Sequence, residues 1–124
     1  MGAALNTAGV QAGDTVAVIG CGGVGQSVIQ GARIAGAAQV IAVDPDAGRL
    51  ARAAARGCLP VDPTREDVVA RVLELTGGAG VDSAIEAVGK PELVAQAAAV
   101  TRPGGRIAVI GVILAPFEVQ WPIF

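Results

Sequence analysis

The segment Val16-Ala17-Val18-Ile19-Gly20-Cys21-Gly22-Gly23-Val24-Gly25 constrains this chain more than any other. A short β-branched run, suited to a buried strand, leads directly into a Gly-x-Gly-x-x-Gly spacing, which opens a window of helical periodicity. Each glycine has a mechanical reason. Gly20 permits a tight turn out of the strand, Gly22 removes a side chain where a pyrophosphate approaches the backbone, and Gly25 lets the helix pack closely against the sheet. The first amides of a helix lack intrahelical partners and carry partial positive charge, so such a turn holds a diphosphate without a lysine. That matters in a chain of formal net charge −2.

The rest of the chain repeats the same rhythm. Strands are expected at Thr15–Ile19, Gln39–Val43, Leu59–Val61, Val81–Ile85 and Arg106–Ile110. Four of the five are largely apolar without strict alternation, as in parallel strands buried on both faces. Helical windows lie between them. Gly23–Ala35 places Val24, Val28, Ile29 and Ala32 on one side, and Asp46–Arg56 does the same with Ala47, Leu50, Ala51 and Ala54. Thr64–Leu75 opens on Thr64 with Asp67 three residues later, a weakened capping box, and Lys90–Thr101 turns Leu93, Val94 and Ala97 inward. Short connections such as Gly77-Gly78-Ala79-Gly80 and Arg102-Pro103-Gly104-Gly105 join these pieces. The pattern predicts one α/β domain over 1–124: a doubly wound parallel (Rossmann) sheet of about five strands, helices on both faces, with right-handed crossovers.

The second predicted strand ends in Asp44, 19 residues after Gly25, where a carboxylate accepts hydrogen bonds from a ribose diol. A carboxylate there also repels a 2′-phosphate, so NAD(H) is the expected ligand in preference to NADP(H). The competing reading of Asp44 is a helix cap. Arg49, five residues on, either reaches a ribose hydroxyl or is a solvated helix arginine.

Composition removes other classes. Hydrophobic residues make up 52% of the 124 residues and charged ones 16%, which excludes disorder. There is no Lys/Arg run, and the aromatics are Phe117, Trp121 and Phe124 alone, so no nucleic-acid surface is expected. The chain has no histidine and two separated cysteines, Cys21 and Cys58, so it cannot assemble a catalytic zinc; no catalytic or metal-binding residue is expected in it. Cys21 reads as a small filler, with a helix N-terminus as the one reason to expect reactivity. The start lacks a signal-peptide pattern and the longest uncharged stretch, 15–32, is rich in glycine, so a cytoplasmic chain with no membrane span is expected.

With these features in place, the chain resembles the cofactor domain of zinc-type medium-chain alcohol dehydrogenases. The resemblance runs through Gly2–Val10, Gly13–Gly20, Gly22-Gly23-Val24-Gly25, Ala32–Ala37, Val40–Asp44, Leu73–Gly78, Val81-Asp82, Glu86-Ala87-Val88-Gly89, Arg102–Gly105 and Ile110-Gly111-Val112. It implies Gly20, Gly22, Gly23, Val24 and Gly25 around the pyrophosphate and Asp44 with Arg49 on the adenosine ribose. It places Val88, Ile110 and Val112 along the nicotinamide; the alternative for these three is plain core. It also implies a chain that holds the carrier and lacks the zinc-bearing domain and a sixth strand, and self-pairing of the alternating segment Phe117–Trp121 in a homodimer.

Two other readings stay open. One is a non-catalytic dinucleotide-binding module or sensor. The other is a methyltransferase, which also uses a glycine loop and an acid ending the second strand; the helix-packing Gly25 and the lack of an aromatic adenine clamp count against it.

Overall fold

The computed structural model describes residues 10–110. Five strands form one parallel sheet: β1 (Thr15–Ile19), β2 (Gln39–Val43), β3 (Leu59–Val61), β4 (Val81–Glu86) and β5 (Thr101–Val109). Four helices connect them: α1 (Gly23–Ile34), α2 (Ala47–Ala55), α3 (Val68–Leu75) and α4 (Pro91–Val100). The sheet order is β3-β2-β1-β4-β5. β1 therefore lies at the centre, and the winding reverses beside it, with β2 following on one side and β4 on the other. The expected fold class is the observed one. Calls on 111–124, including a sixth strand and Phe117–Trp121 pairing, lie outside the described residues.

The register explains why the strands are apolar throughout. Val16 sits between Val40 and Ser83, Ala17 between Ile41 and Ala84, and Val18 between Ala42 and Ile85. Alternate side chains point to opposite faces, and both faces are covered. Val16, Val18, Val40, Ala42 and Ile85 pack with Val28, Ile29 and Ala32 of α1 and with Leu50 and Ala53 of α2. Ala17, Ile19, Ile41, Val43 and Ala84 pack with Val68 and Val72 of α3 and with Ala97 and Val100 of α4. Val16, Ala17 and Val18 are fully buried, as a central strand requires.

Four local expectations change. Val24 is 52% exposed and sits off the packed face of α1, because it occupies the first turn, above the strand ends. In α2 the buried residues are Leu50 and Ala53, while Ala47, Ala51 and Ala54 face outward. The third helix begins later than expected: Asp67 is its N-cap, accepting from the Ala70 N–H at 2.9 Å. Thr64 instead gives both its N–H and its hydroxyl to Asp62 Oδ1, at 2.9 and 2.7 Å. β5 also starts earlier than its apolar run. It pairs at Thr101 with Val81, breaks register across Pro103-Gly104-Gly105, and resumes with Arg106 opposite Ser83.

Candidate functional site

The strand ladders continue one step past the carboxyl ends of the strands and so position every loop of the site. Gly20 N–H donates to Val43 O at 2.8 Å, Ala87 N–H to Ile19 O at 2.9 Å, and Ile110 N–H to Glu86 O at 2.9 Å. The glycine turn leaves β1 at the point where the winding reverses, which is where open parallel sheets bind ligands.

Its four glycines fall into two kinds. Gly20 has φ +96°, and a Cβ there would lie 2.4 Å from Val88 Cγ2, so both backbone and space demand glycine. A Cβ on Gly25 would lie 1.9 Å from Gly20 O; the helix packs against the carbonyl of the turn itself more tightly than against the sheet. Gly22 and Gly23 are different. Gly22 has φ −71°, a Cβ there would meet only Arg49 Cζ at 3.8 Å, and one on Gly23 would meet nothing within 4 Å. The fold leaves open space over both. Gly22 is the N-cap of α1 and offers no side chain to the first-turn amides, and that turn carries no acidic residue. The end of α1 is thus an uncapped set of N–H donors beneath a cradle that a Cβ would fill.

Asp44 closes the other side. It is 2% exposed; its Oδ2 accepts Cys21 N–H and its Oδ1 accepts Asp46 N–H, each at 2.8 Å. The capping role belongs to Asp46, whose Oδ1 accepts Arg49 N–H at 3.0 Å. Asp44 therefore ties the glycine turn to the start of α2, and each oxygen keeps a lone pair for a further donor. Arg49 lies with Nη1 3.8 Å from Asp44 Oδ2 and its guanidinium over Gly22, while its side chain stays 48% exposed.

Several site residues carried no local signal. Glu86 is fully buried, and its carboxylate accepts Val88 N–H at 2.9 Å and Gly89 N–H at 2.8 to 2.9 Å, which fixes the loop after β4. A charge ending an apolar run three residues before a glycine was the only hint of it. Gln26 Nε2 donates to Cys21 O at 3.0 Å and braces the turn from within α1. A cavity of about 210 Å³ opens beside Asp44 and Arg49, and Pro45, Pro63, Val88, Lys90, Leu93 and Gln96 complete most of its wall. Val88 thus stands on the Asp44 side of the site. Ile110 is half-buried against the core under α1 and α2, away from that cavity, and Val112 lies outside the described residues.

Cys21 sits at the turn and is fully buried. Burial, and next the Asp44 charge, push its thiol up to about 12, and its Sγ lies 3.7 Å from Val43 O. Cys58 is buried as well, and burial raises its thiol too. With both sulfurs in the core, no histidine in the chain and no cluster of three His, Cys, Asp or Glu side chains among the described residues, those residues do not fit a zinc ion. Among the described residues no helix is long and apolar enough to cross a membrane.

This geometry defines a doubly wound α/β domain with a glycine turn opening onto a helix N-terminus. Comparison with known proteins supplies the family. The profile described as zinc-binding dehydrogenase matches residues 23–123, and the chain belongs to that family. It is 39% identical over 112 residues to the geraniol dehydrogenase of Castellaniella defragrans, covering 89% of this chain and 30% of that protein. Among solved structures, alcohol dehydrogenase TADH from Thermus sp. ATN1 matches with TM-score 0.88 and 39% identity, over 94% of this chain and 34% of that one. A zinc-binding dehydrogenase of Sinorhizobium meliloti 1021, bound to NADP, matches with TM-score 0.88 and 32% identity, over 97% and 36%. The chain spans about a third of the length of these relatives, as the resemblance to a cofactor domain implies.

Proposed function

We propose that this chain is the NAD(H)-binding domain of a zinc-dependent alcohol or aldehyde dehydrogenase. The observation that carries the reading is the pair Gly22 and Gly23: glycines that neither backbone nor packing requires, at the uncapped N-terminus of α1, beside a buried carboxylate. The free amides of α1 hold the diphosphate. Asp44 accepts from the ribose diol through the lone pairs left by Cys21 and Asp46 N–H, and Arg49 spans from that carboxylate to the diphosphate cradle. The cavity walled by Pro45, Pro63 and Val88 takes the base. When bound, the nicotinamide supplies the hydride acceptor or donor; zinc and the alcohol are held by parts of the enzyme other than these residues.

Asp44 favours NAD(H), because a 2′-phosphate would meet its charge at a buried position. Fluorescence titration of the chain should show NADH binding at least about tenfold tighter than NADPH, with S-adenosylmethionine not competing. Asp44→Asn removes the repelling charge while keeping an acceptor, and should narrow the difference. Equal affinity for the two dinucleotides in the wild type would sink the role given to Asp44. Absence of binding to both would sink the dinucleotide reading itself.

A further inference from the structure

Glu86 closes β4, paired with Ile19 of β1 on one side and Val109 of β5 on the other, and it is fully buried. A strand end that needed only packing would be served by an apolar residue, because burying a carboxylate is costly unless hydrogen bonds compensate. Here they do, and they run forward along the chain. Oε2 accepts Val88 N–H at 2.9 Å and Gly89 N–H at 2.8 Å, and Oε1 also accepts Gly89 N–H at 2.9 Å. The loop held in this way carries a side chain that burial does little to hold, since Val88 is 42% exposed. Yet Val88 Cγ2 occupies the space that a Cβ on Gly20 would need, and Val88 and Gly20 wall the same cavity as Asp44.

We propose that Glu86 is a positioning residue for dinucleotide binding: its carboxylate, anchored in the sheet, holds Val88 against the glycine turn, so that the cavity beside Asp44 has its shape before a ligand enters. The assignment rests on the dinucleotide reading above. Glu86 has no exposed surface to offer a ligand, so it acts through Val88 and not by contact. Without the carboxylate, the Val88 and Gly89 amides are satisfied only by turning toward water, which carries Val88 off the turn. A wall set in advance spares the ligand the cost of ordering it, so losing the carboxylate costs affinity.

A double-mutant cycle on NADH affinity, read by fluorescence, tests the route through Val88. Glu86→Met fills the strand end without an acceptor and should weaken binding about tenfold. Val88→Ala should weaken it about fivefold. Independent effects would multiply to about fiftyfold, whereas the double variant should lose about tenfold, no more than Glu86→Met alone. Glu86→Gln keeps an oxygen for both amides and should stay within about threefold of the wild type. Thermal melts followed by circular dichroism verify that each variant is folded. Amide hydrogen exchange needs no substitution and decides the matter if Glu86→Met does not fold: Val88 and Gly89 N–H of the wild type should be protected before NADH is added. Unchanged affinity in Glu86→Met, an equal loss in Glu86→Gln, multiplying losses in the double variant, or free exchange of those two amides would overturn the role of Glu86 and leave the dinucleotide reading standing. If the wild type binds no NADH, both readings fall together.

Discussion

Between Ile19 and Gln26 the chain carries four glycines, and the reason for each can be separated by adding a single methyl. Gly25→Ala would drive a Cβ to 1.9 Å from Gly20 O, a backbone atom that cannot step aside, so its cost should reach the upper end of the about 1–3 kcal/mol of overpacking. Gly23→Ala meets nothing and should leave stability unchanged or raise it by up to about 1 kcal/mol. Gly22→Ala should likewise fold normally yet weaken dinucleotide binding. Urea denaturation and NADH titration of the three variants check the set; a stable Gly25→Ala would show that the turn can relax. The same turn holds Cys21, whose thiol is pushed up to about 12 by burial and Asp44. Because the thiolate is the reactive form, native protein at about pH 8 should resist iodoacetamide at Cys21, while urea-unfolded protein takes the label. Mass spectrometry of the two samples reads the outcome.

At the scale of the element, α3 shows how two neighbouring signals compete for one role. Thr64 and Asp67 both have N-cap chemistry, and the apolar run begins at Val68. Asp62 engages Thr64 through both its amide and its hydroxyl, which leaves Asp67 to satisfy the first turn of the helix. Asp67→Ala should therefore cost about 1 kcal/mol, and Thr64→Ala should stay within about 0.5 kcal/mol. Chemical denaturation of both variants distinguishes them; equal losses would mean that the cap is shared. α2 illustrates a different limit. Alanine fits either a buried or an exposed face, so its alanines set no direction, and Leu50 with Ala53 settles against the sheet.

Across the whole molecule, the amino end of the sheet is joined by charge as its carboxyl end is by the site. Asp82 on β4 accepts Thr15 N–H of β1 through Oδ2 at 2.7 Å and Arg102 Nε of β5 through Oδ1 at 2.6 Å. The Thr15 amide first, and then Arg102, hold its carboxyl below the ordinary aspartate range. A carboxyl depressed on folding contributes stability above its unfolded pKa of about 3.9, and that stability is lost as pH falls through the folded value. The wild-type urea midpoint should therefore fall as pH drops below about 4. Asp82→Asn should start lower at about pH 6 and fall less steeply. Parallel curves for the two proteins would remove Asp82 as the linked group. Asp46 and Asp62 shift in the same direction but lie at the surface, where solvent screens their effect.

The strands, the glycine turn and Asp44 were legible in the sequence because their signals are local. β-branched runs bounded by glycine mark buried strands, and a turn out of a strand needs Gly20 whatever packs above it. Asp44 was legible by its place at a strand end, though not its two bonds to Cys21 and Asp46 amides. Strand order was not legible, since parallel pairing joins segments as distant as β1 and β4 and leaves no mark in either. That pairing brings Val88 against Gly20 and sets Lys90, Leu93 and Gln96 across from Asp44. It also buries Glu86 beside the end of β1, where its carboxylate can shape a loop that its own sequence would have left exposed. The sequence by itself determined which segments become strands and where the glycine turn opens onto a helix N-terminus, because backbone propensity and turn sterics act over a few residues. Only the tertiary structure decided the walls of the cavity, because they are drawn from β1, β2, α2, α4 and the loops beside them, and meet only when the sheet is assembled.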